Sequence, residues 1–152
     1  AGALLAVDSC SFDIEALSEL RPWLIKPNEQ EIESLCKRTV TTIEDALSAA
    51  KQLASVGIGH VIVSMGGKGA AYVGCGGACA ATAPAITPIS TIGAGDSTVA
   101  GFISGFVDGL TFTDCLKRAI AFGTAACLTD GTLPPRPEDV TRLLHEVTMQ
   151  YL

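Results

Sequence analysis

The run Ser90-Thr91-Ile92-Gly93-Ala94-Gly95-Asp96-Ser97 holds the residue types best suited to chemistry. Two glycines and an alanine stand directly before an amphipathic segment. Small residues let a backbone turn sharply and let a ligand come close to it. The free N–H groups of the helix that follows would point at that ligand and favour an anion, phosphate above all. Asp96 is out of place at a passive anion site, because its carboxylate repels phosphate. It fits a site where the carboxylate takes a proton from a hydroxyl while the N–H groups hold the phosphoryl group that the hydroxyl attacks. A plainer reading stands beside this one on local physics: Asp is a favoured helix cap, and capping could be its whole role.

Three further runs carry weaker signals. Asn28 and Glu31 have the spacing of a capping box at a helix start. Ser64-Met65-Gly66-Gly67-Lys68-Gly69 is a glycine-rich turn, most often a hairpin. It is not a Walker A loop, since Gly67-Lys68 is followed by Gly69 rather than Ser or Thr. The strand that follows it also argues against a dinucleotide fingerprint, which must open a helix. Ala121-Phe122-Gly123-Thr124-Ala125-Ala126 is a run of mostly small residues on a helix, which ordinary packing explains.

These residues need a frame, and the pattern of elements supplies one. Strands are predicted at Leu4–Val7 (buried), Trp23–Ile25, His60–Met65, Ala70–Val73 and near Cys79–Thr82. Helices are predicted at Phe12–Leu20, from Asn28, at Ile43–Val56 with Gly57 closing it, at Ser97–Leu110, from Thr113 or Asp114 to about Leu128, and from Pro137. Alternation of this kind predicts an α/β fold. His60–Met65 is apolar on both faces, as central parallel strands are. On Ser97–Leu110, Val99, Phe102, Ile103, Phe106, Val107 and Leu110 form an apolar stripe. Gly101, Gly105 and Gly109 form a second stripe, which implies close approach of a helix–sheet neighbour or of a ligand. On the last helix Val140, Leu143, Leu144 and Val147 are expected to face inward.

The 152 residues suffice for one domain, 48% of them hydrophobic, with a net charge of −6. No basic cluster is present, which argues against nucleic acid or an anionic membrane as partner. No apolar run reaches the length of a membrane span, and the start lacks the basic region of a signal peptide. Cysteines occupy positions 10, 36, 75, 79, 115 and 127. Only Cys75 and Cys79 lie close together, as Cys-Gly-Gly-Ala-Cys, and His60 and His145 do not complete a zinc spacing. Reduced thiols of a cytoplasmic protein are the expectation.

Ser90 to Ile103, taken whole, resembles the C-terminal signature of the ribokinase-like (PfkB) sugar kinases. The resemblance implies a three-layer α/β/α fold on a mainly parallel sheet and ATP-dependent phosphorylation of a sugar or sugar-phosphate hydroxyl. It implies that Asp96 is the catalytic base and that the backbone of Gly93, Ala94 and Gly95 forms the anion hole. Lys26-Pro27-Asn28-Glu29-Gln30-Glu31 resembles the family's Asn-x-x-Glu motif, which implies that Asn28 and Glu31 organise Mg²⁺, its waters and phosphate, with Lys26 beside ATP. Lys-Pro before that Asn is similar to the phosphofructokinase and tagatose-6-phosphate kinase branch. By the same resemblance Ser64, Gly66, Gly67 and Gly69 contact ATP phosphates, and Gly123, Thr124 and Ala126 line the adenine pocket. Backbone carbonyls around Ser90, Ile92, Ala126, Thr129 and Gly131 would hold a monovalent cation such as K⁺. The likeness spans nearly the whole chain but only the C-terminal half of the family's usual length. Most of the sugar site and a β-sheet lid are therefore expected outside it, with negligible turnover by these residues alone and a homodimer as the complete protein. The alternatives are a non-catalytic nucleotide-binding or regulatory module, or a nucleoside or vitamin kinase of the same superfamily.

Overall fold

The computed structural model describes residues 2–9 and 11–151; Cys10 lies outside them. The described residues form two compact units, 2–9 and 11–65 with 70–80, and 66–69 with 81–151.

The first unit is built on a mixed sheet. Strands β1 (Ala6–Val7), β2 (Leu24–Ile25), β3 (His60–Ser64), β4 (Ala70–Gly74) and β5 (Gly77–Thr82) lie side by side in chain order. β1, β2 and β3 are parallel, and β4 returns antiparallel to β3 with Ile62 opposite Tyr72. Val61, Ile62 and Val63 are fully buried, as a strand apolar on both faces requires. Helices α1 (Ile14–Leu20), α2 (Glu29–Cys36) and α3 (Ile43–Ser55) alternate with these strands. α3 begins with a capping box from Thr42 and Asp45, and Gly57 follows its end at φ +101°. Its Ala46, Ala50 and Leu53 pack with Ile32 of α2 and Val61 and Val63 of β3 in one core.

Two expectations fail here. The strand at Leu4–Val7 is shorter and not buried: Leu4, Leu5 and Ala6 are exposed, because β1 is an edge strand with a partner on one side only. Trp23 stays outside β2.

His60 opens β3 almost fully buried, its Nδ1 2.8 Å from the Tyr72 hydroxyl and its ring edge-on to Trp23. Burial pushes this imidazole below its ordinary value. The fold therefore favours the neutral ring. The stability it contributes is complete above about pH 6.5 and is lost as pH falls below that, because the unfolded chain takes up the proton first. The ring protons of His60 in an NMR titration should show a midpoint below that of a histidine peptide. A midpoint at or above the peptide's would contradict this.

The second unit is helical apart from β6 and the last two residues of β5, Ala81 and Thr82. It holds α4 (Ala94–Val107), α5 (Phe112–Ala126), α6 (Pro137–Glu146) and β6 (Thr148–Tyr151). Gln150 reaches the Thr82 hydroxyl at 3.5 Å, so β6 runs beside the end of β5; this strand has no clear signal in the sequence. α5 starts at Phe112, one residue before the earlier of the expected starts, because the Thr111 hydroxyl caps it by accepting from Asp114 N–H. α6 begins with Pro137 as expected; Leu143 and Val147 are buried, while Val140 and Leu144 are half-buried.

α4 departs most from expectation. It begins at Ala94, three residues before Ser97, and ends at Val107 rather than Leu110. Its buried residues are Thr98, Gly101, Phe102 and Gly105, so the small-residue face packs as well as Phe102 of the apolar stripe, while Val99, Ile103, Phe106 and Leu110 are half-buried. Val107, placed in the apolar stripe, is 75% exposed. A Cβ on Gly101 would lie 2.9 Å from Ala119 Cα, and one on Gly105 3.1 Å from Cys115 Cα. The glycine stripe thus brings α4 against α5, a helix–helix contact rather than a helix–sheet one. Gly109 plays no part in it; at φ +76° it lies beyond the helix end. No helix among the described residues is long and apolar enough to cross a membrane.

Candidate active site

In the first unit the carboxyl ends of three parallel strands gather the expected residues. Ligands bind outside such strand ends in open α/β sheets. Asp8 follows β1, Lys26 to Asn28 follow β2, and Ser64 ends β3. Ser64 N–H donates to Pro27 C=O at 3.0 Å, and Asn28 and Ser64 form a parallel bridge. The Lys-Pro-Asn run and the start of the glycine turn, 36 residues apart by number, are therefore neighbours.

Lys26 is buried and its Nζ lies 3.1 Å from Asp8 Oδ1. A lysine with 6% of its side chain exposed needs such a partner, since an unpaired charge is costly away from water. Asp8 was not singled out from the sequence as a site residue. The available signal was an acidic residue closing an apolar strand. Its pairing across strands is not visible in one dimension.

Asn28 and Glu31 form the capping box in full. Asn28 Oδ1 accepts from Glu31 N–H at 2.9 Å, and Glu31 Oε2 accepts from Asn28 N–H at 2.8 Å. The box engages one oxygen of the carboxylate. Oε1 is left for a hard cation or its water, the kind of ligand Mg²⁺ prefers.

In the second unit Gly66–Lys68 is a single 3₁₀ turn, closed by Gly69 N–H donating to Gly66 C=O at 3.0 Å. Its glycines divide into two kinds. A Cβ on Gly66 or Gly67 meets nothing within 4 Å, so their backbone lies open to a ligand. A Cβ on Gly69, at φ +106°, would land on the Ala81 carbonyl. Gly69 is demanded by the fold.

The start of α4 is open too. Gly93 enters the helix at φ +78°, and no side chain caps it. Ser97 N–H closes the first turn onto Gly93 C=O, and Ala94 N–H reaches only Thr91 C=O at 3.3 Å. Asp96 is the third helical residue and is exposed. It is therefore not the helix cap. The plainer of its two readings loses its geometry.

Gly123, Thr124 and Ala126 are all buried. A Cβ on Gly123 would overlap Thr98 Oγ1, which itself donates to Ala94 C=O at 2.8 Å. Packing of α5 on α4 accounts for Gly123. Around the expected cation site, Ile89 N–H and Ser90 N–H donate to Cys127 C=O at 2.8 and 3.3 Å. The buried Thr129 hydroxyl lies within 2.9 Å of both Ala126 C=O and Leu133 C=O. Gly131 turns at φ +58°, and Gly93 approaches Thr132. The structure thus brings the segments of Ser90, Ile92, Thr129 and Gly131 together beside the start of α4.

The first unit is an open α/β sheet, a frame whose strand ends commonly bind ligands, and the second holds an uncapped helix start of the kind that favours anions. Residues 5–139 match the pfkB family of carbohydrate kinases, and the chain belongs to that family. It is 40% identical over 127 residues to 1-phosphofructokinase of Haemophilus influenzae, covering 83% of this chain and 41% of that protein. Phosphofructokinase-2 of Escherichia coli, solved with potassium, superposes with a TM-score of 0.84 at 29% identity, covering 95% of this chain and 48% of that one. Arabidopsis thaliana ribokinase, solved with ribose and ATP, gives 0.80 at 26% identity, covering 94% and 48%. The chain spans about half the length of the relatives it matches. The fold is the ribokinase-like α/β fold that the resemblance implied.

Proposed function

We propose that this chain supplies the phosphoryl-transfer portion of an ATP-dependent kinase acting on a sugar phosphate of the phosphofructokinase type. The observation that carries this is the uncapped start of α4 with exposed Asp96 in its first turn. Donors and base stand on one rigid helix, so their spacing does not depend on a loop.

Asp96 accepts the proton of the attacking hydroxyl as the oxygen bonds to phosphorus. The N–H groups of Gly93 to Asp96 hold the negative charge that grows on the transferred group. Gly66 and Gly67 offer open backbone to further phosphate oxygens. Asn28 and Glu31 would hold Mg²⁺ through its waters, and Lys26, neutralised by Asp8, sets the charge at the strand ends. Bound Mg²⁺·ATP supplies the phosphoryl group and the counter-charge for it. The carbonyls near Ser90 and Thr129 suit K⁺ beside the helix start. Names of the relatives support the substrate class, and Lys-Pro-Asn supports the same branch.

The experiment is ADP release from Mg²⁺·ATP in a polypeptide of the relatives' full length, with fructose 1-phosphate, fructose 6-phosphate and tagatose 6-phosphate offered in turn. Release that depends on one of them is expected. Release that none of them stimulates overturns the reading.

Glu31→Gln separates the two roles of the box. Gln can make the same capping bonds, so the melting temperature should shift by no more than about 1 kcal/mol requires. The Mg²⁺ concentration for half-maximal rate should rise roughly tenfold. An unchanged Mg²⁺ dependence would remove Glu31 from the metal site.

A further inference from the structure

One buried hydroxyl joins the end of α5 to the turn that follows it. Thr129 is 4% exposed, and its Oγ1 lies 2.8 Å from Ala126 C=O and 2.9 Å from Leu133 C=O. A hydroxyl has one proton to give. Ala126 C=O already accepts Thr129 N–H at 3.2 Å, so the hydroxyl proton can serve Leu133 C=O without leaving Ala126 unpaired. Leu133 N–H in turn donates to Asp130 C=O at 3.2 Å, with Gly131 between them at φ +58°. The hydroxyl therefore pins the exit of the turn 130–133 to the end of α5.

That turn lies against the start of α4. A Cβ on Gly93 would meet Thr132 Cα at 3.9 Å, ordinary contact distance. No side chain caps α4, so its first turn takes its direction from the backbone packed beside it. On one side Cys127 C=O accepts Ile89 and Ser90 N–H at 2.8 and 3.3 Å and holds the segment leading in. On the other side stands the turn that Thr129 closes.

We propose that Thr129 is a positioning residue: its hydroxyl fixes the turn 130–133 beside Gly93 and thereby aims the N–H groups at the start of α4 at the transferred phosphoryl group. It touches no reacting atom, and the inference rests on the functional reading above. Preorganised donors act through their placement, and an error of about 1 Å can cost up to about a hundredfold in rate. This task belongs to the side-chain hydroxyl and is separate from any cation held by main-chain carbonyls. The plainer account is a buried hydroxyl that satisfies its neighbours and leaves the chemistry untouched.

The test uses a polypeptide of the relatives' full length. Thr129→Val keeps nearly the same shape and removes the hydroxyl; Thr129→Ser keeps the hydroxyl. Thr141→Val is the control, because it deletes a comparable bond, to Pro137 C=O at 2.9 Å, on α6. Rates are taken at saturating K⁺ and well below every melting temperature. Thr129→Val should lower kcat roughly tenfold with the KM for ATP nearly unchanged, and should speed amide exchange at residues 91–96. Thr129→Ser should restore both, and Thr141→Val should change neither. Unchanged exchange at 91–96 in Thr129→Val overturns the proposal, as does a kcat equal to that of an active wild type. A loss that Thr129→Ser fails to restore, that Thr141→Val matches, or that appears only below saturating K⁺ overturns it too. A wild type with no turnover on any sugar phosphate sinks the functional reading instead, and the exchange comparison then still decides whether Thr129 orders the start of α4.

Discussion

Asp96→Asn, in a polypeptide of the relatives' full length, is expected to lower kcat by roughly two to four powers of ten, the range for loss of a general base. Asparagine has the same shape and cannot accept the hydroxyl proton. Asp96 is exposed and caps nothing, so stability should stay within about 0.5 kcal/mol of wild type. The affinity for ATP should hold or improve, because a negative charge beside the phosphate is gone. The measurements are kcat, the dissociation constant for ATP and the melting temperature on one preparation. A fall in kcat matched by a fall in stability would make the effect structural. A kcat within tenfold of wild type would remove Asp96 as the base.

Gly123→Ala is expected to destabilise the protein by about 2–3 kcal/mol, since the added methyl must displace Thr98 Oγ1 from the α4–α5 contact. The methyl is also 3.2 Å from Ala94 C=O, the first carbonyl of α4. The strain therefore falls on the turn that carries Asp96, and kcat should drop more than ATP affinity. Thr98→Ala alone gives up a hydrogen bond to Ala94 C=O and should cost about 1 kcal/mol. The double variant should be more stable than Gly123→Ala, with a coupling of about 1–2 kcal/mol between the sites. Additive losses, measured by denaturant unfolding, would show that Gly123 is not held to glycine by Thr98. They would leave its small size to another cause.

Part of the candidate site's local geometry was legible in the sequence. The capping box of Asn28 and Glu31 reads directly from a three-residue spacing and forms as read. The segment Ser90 to Ile103 marked the family, which residues 5–139 match. The start of α4 was misplaced because Gly93 and Gly95 read as turn. Gly93 instead uses its positive φ to enter the helix, which puts Asp96 inside the first turn. The packed face of α4 was legible at Phe102 and misread at Val107: close approach of α5 buries glycine and threonine, whereas a hydrophobicity pattern favours Val107. The Asp8–Lys26 pair and the meeting of Asn28 with Ser64 depend on which strands become neighbours. Nothing in either segment alone states that. β6 escaped because Thr148-Met149-Gln150-Tyr151 is too short to show an alternation.

The chemical step itself gives the most direct test. In a single turnover with γ-labelled ATP, excess enzyme of full family length and the preferred sugar phosphate, label should pass to the sugar hydroxyl in wild type. In Asp96→Asn it should stay on bound ATP over the same interval. Label that moves equally fast in both proteins, or that leaves ATP in neither while ATP is demonstrably bound, would contradict Asp96-driven transfer from the start of α4.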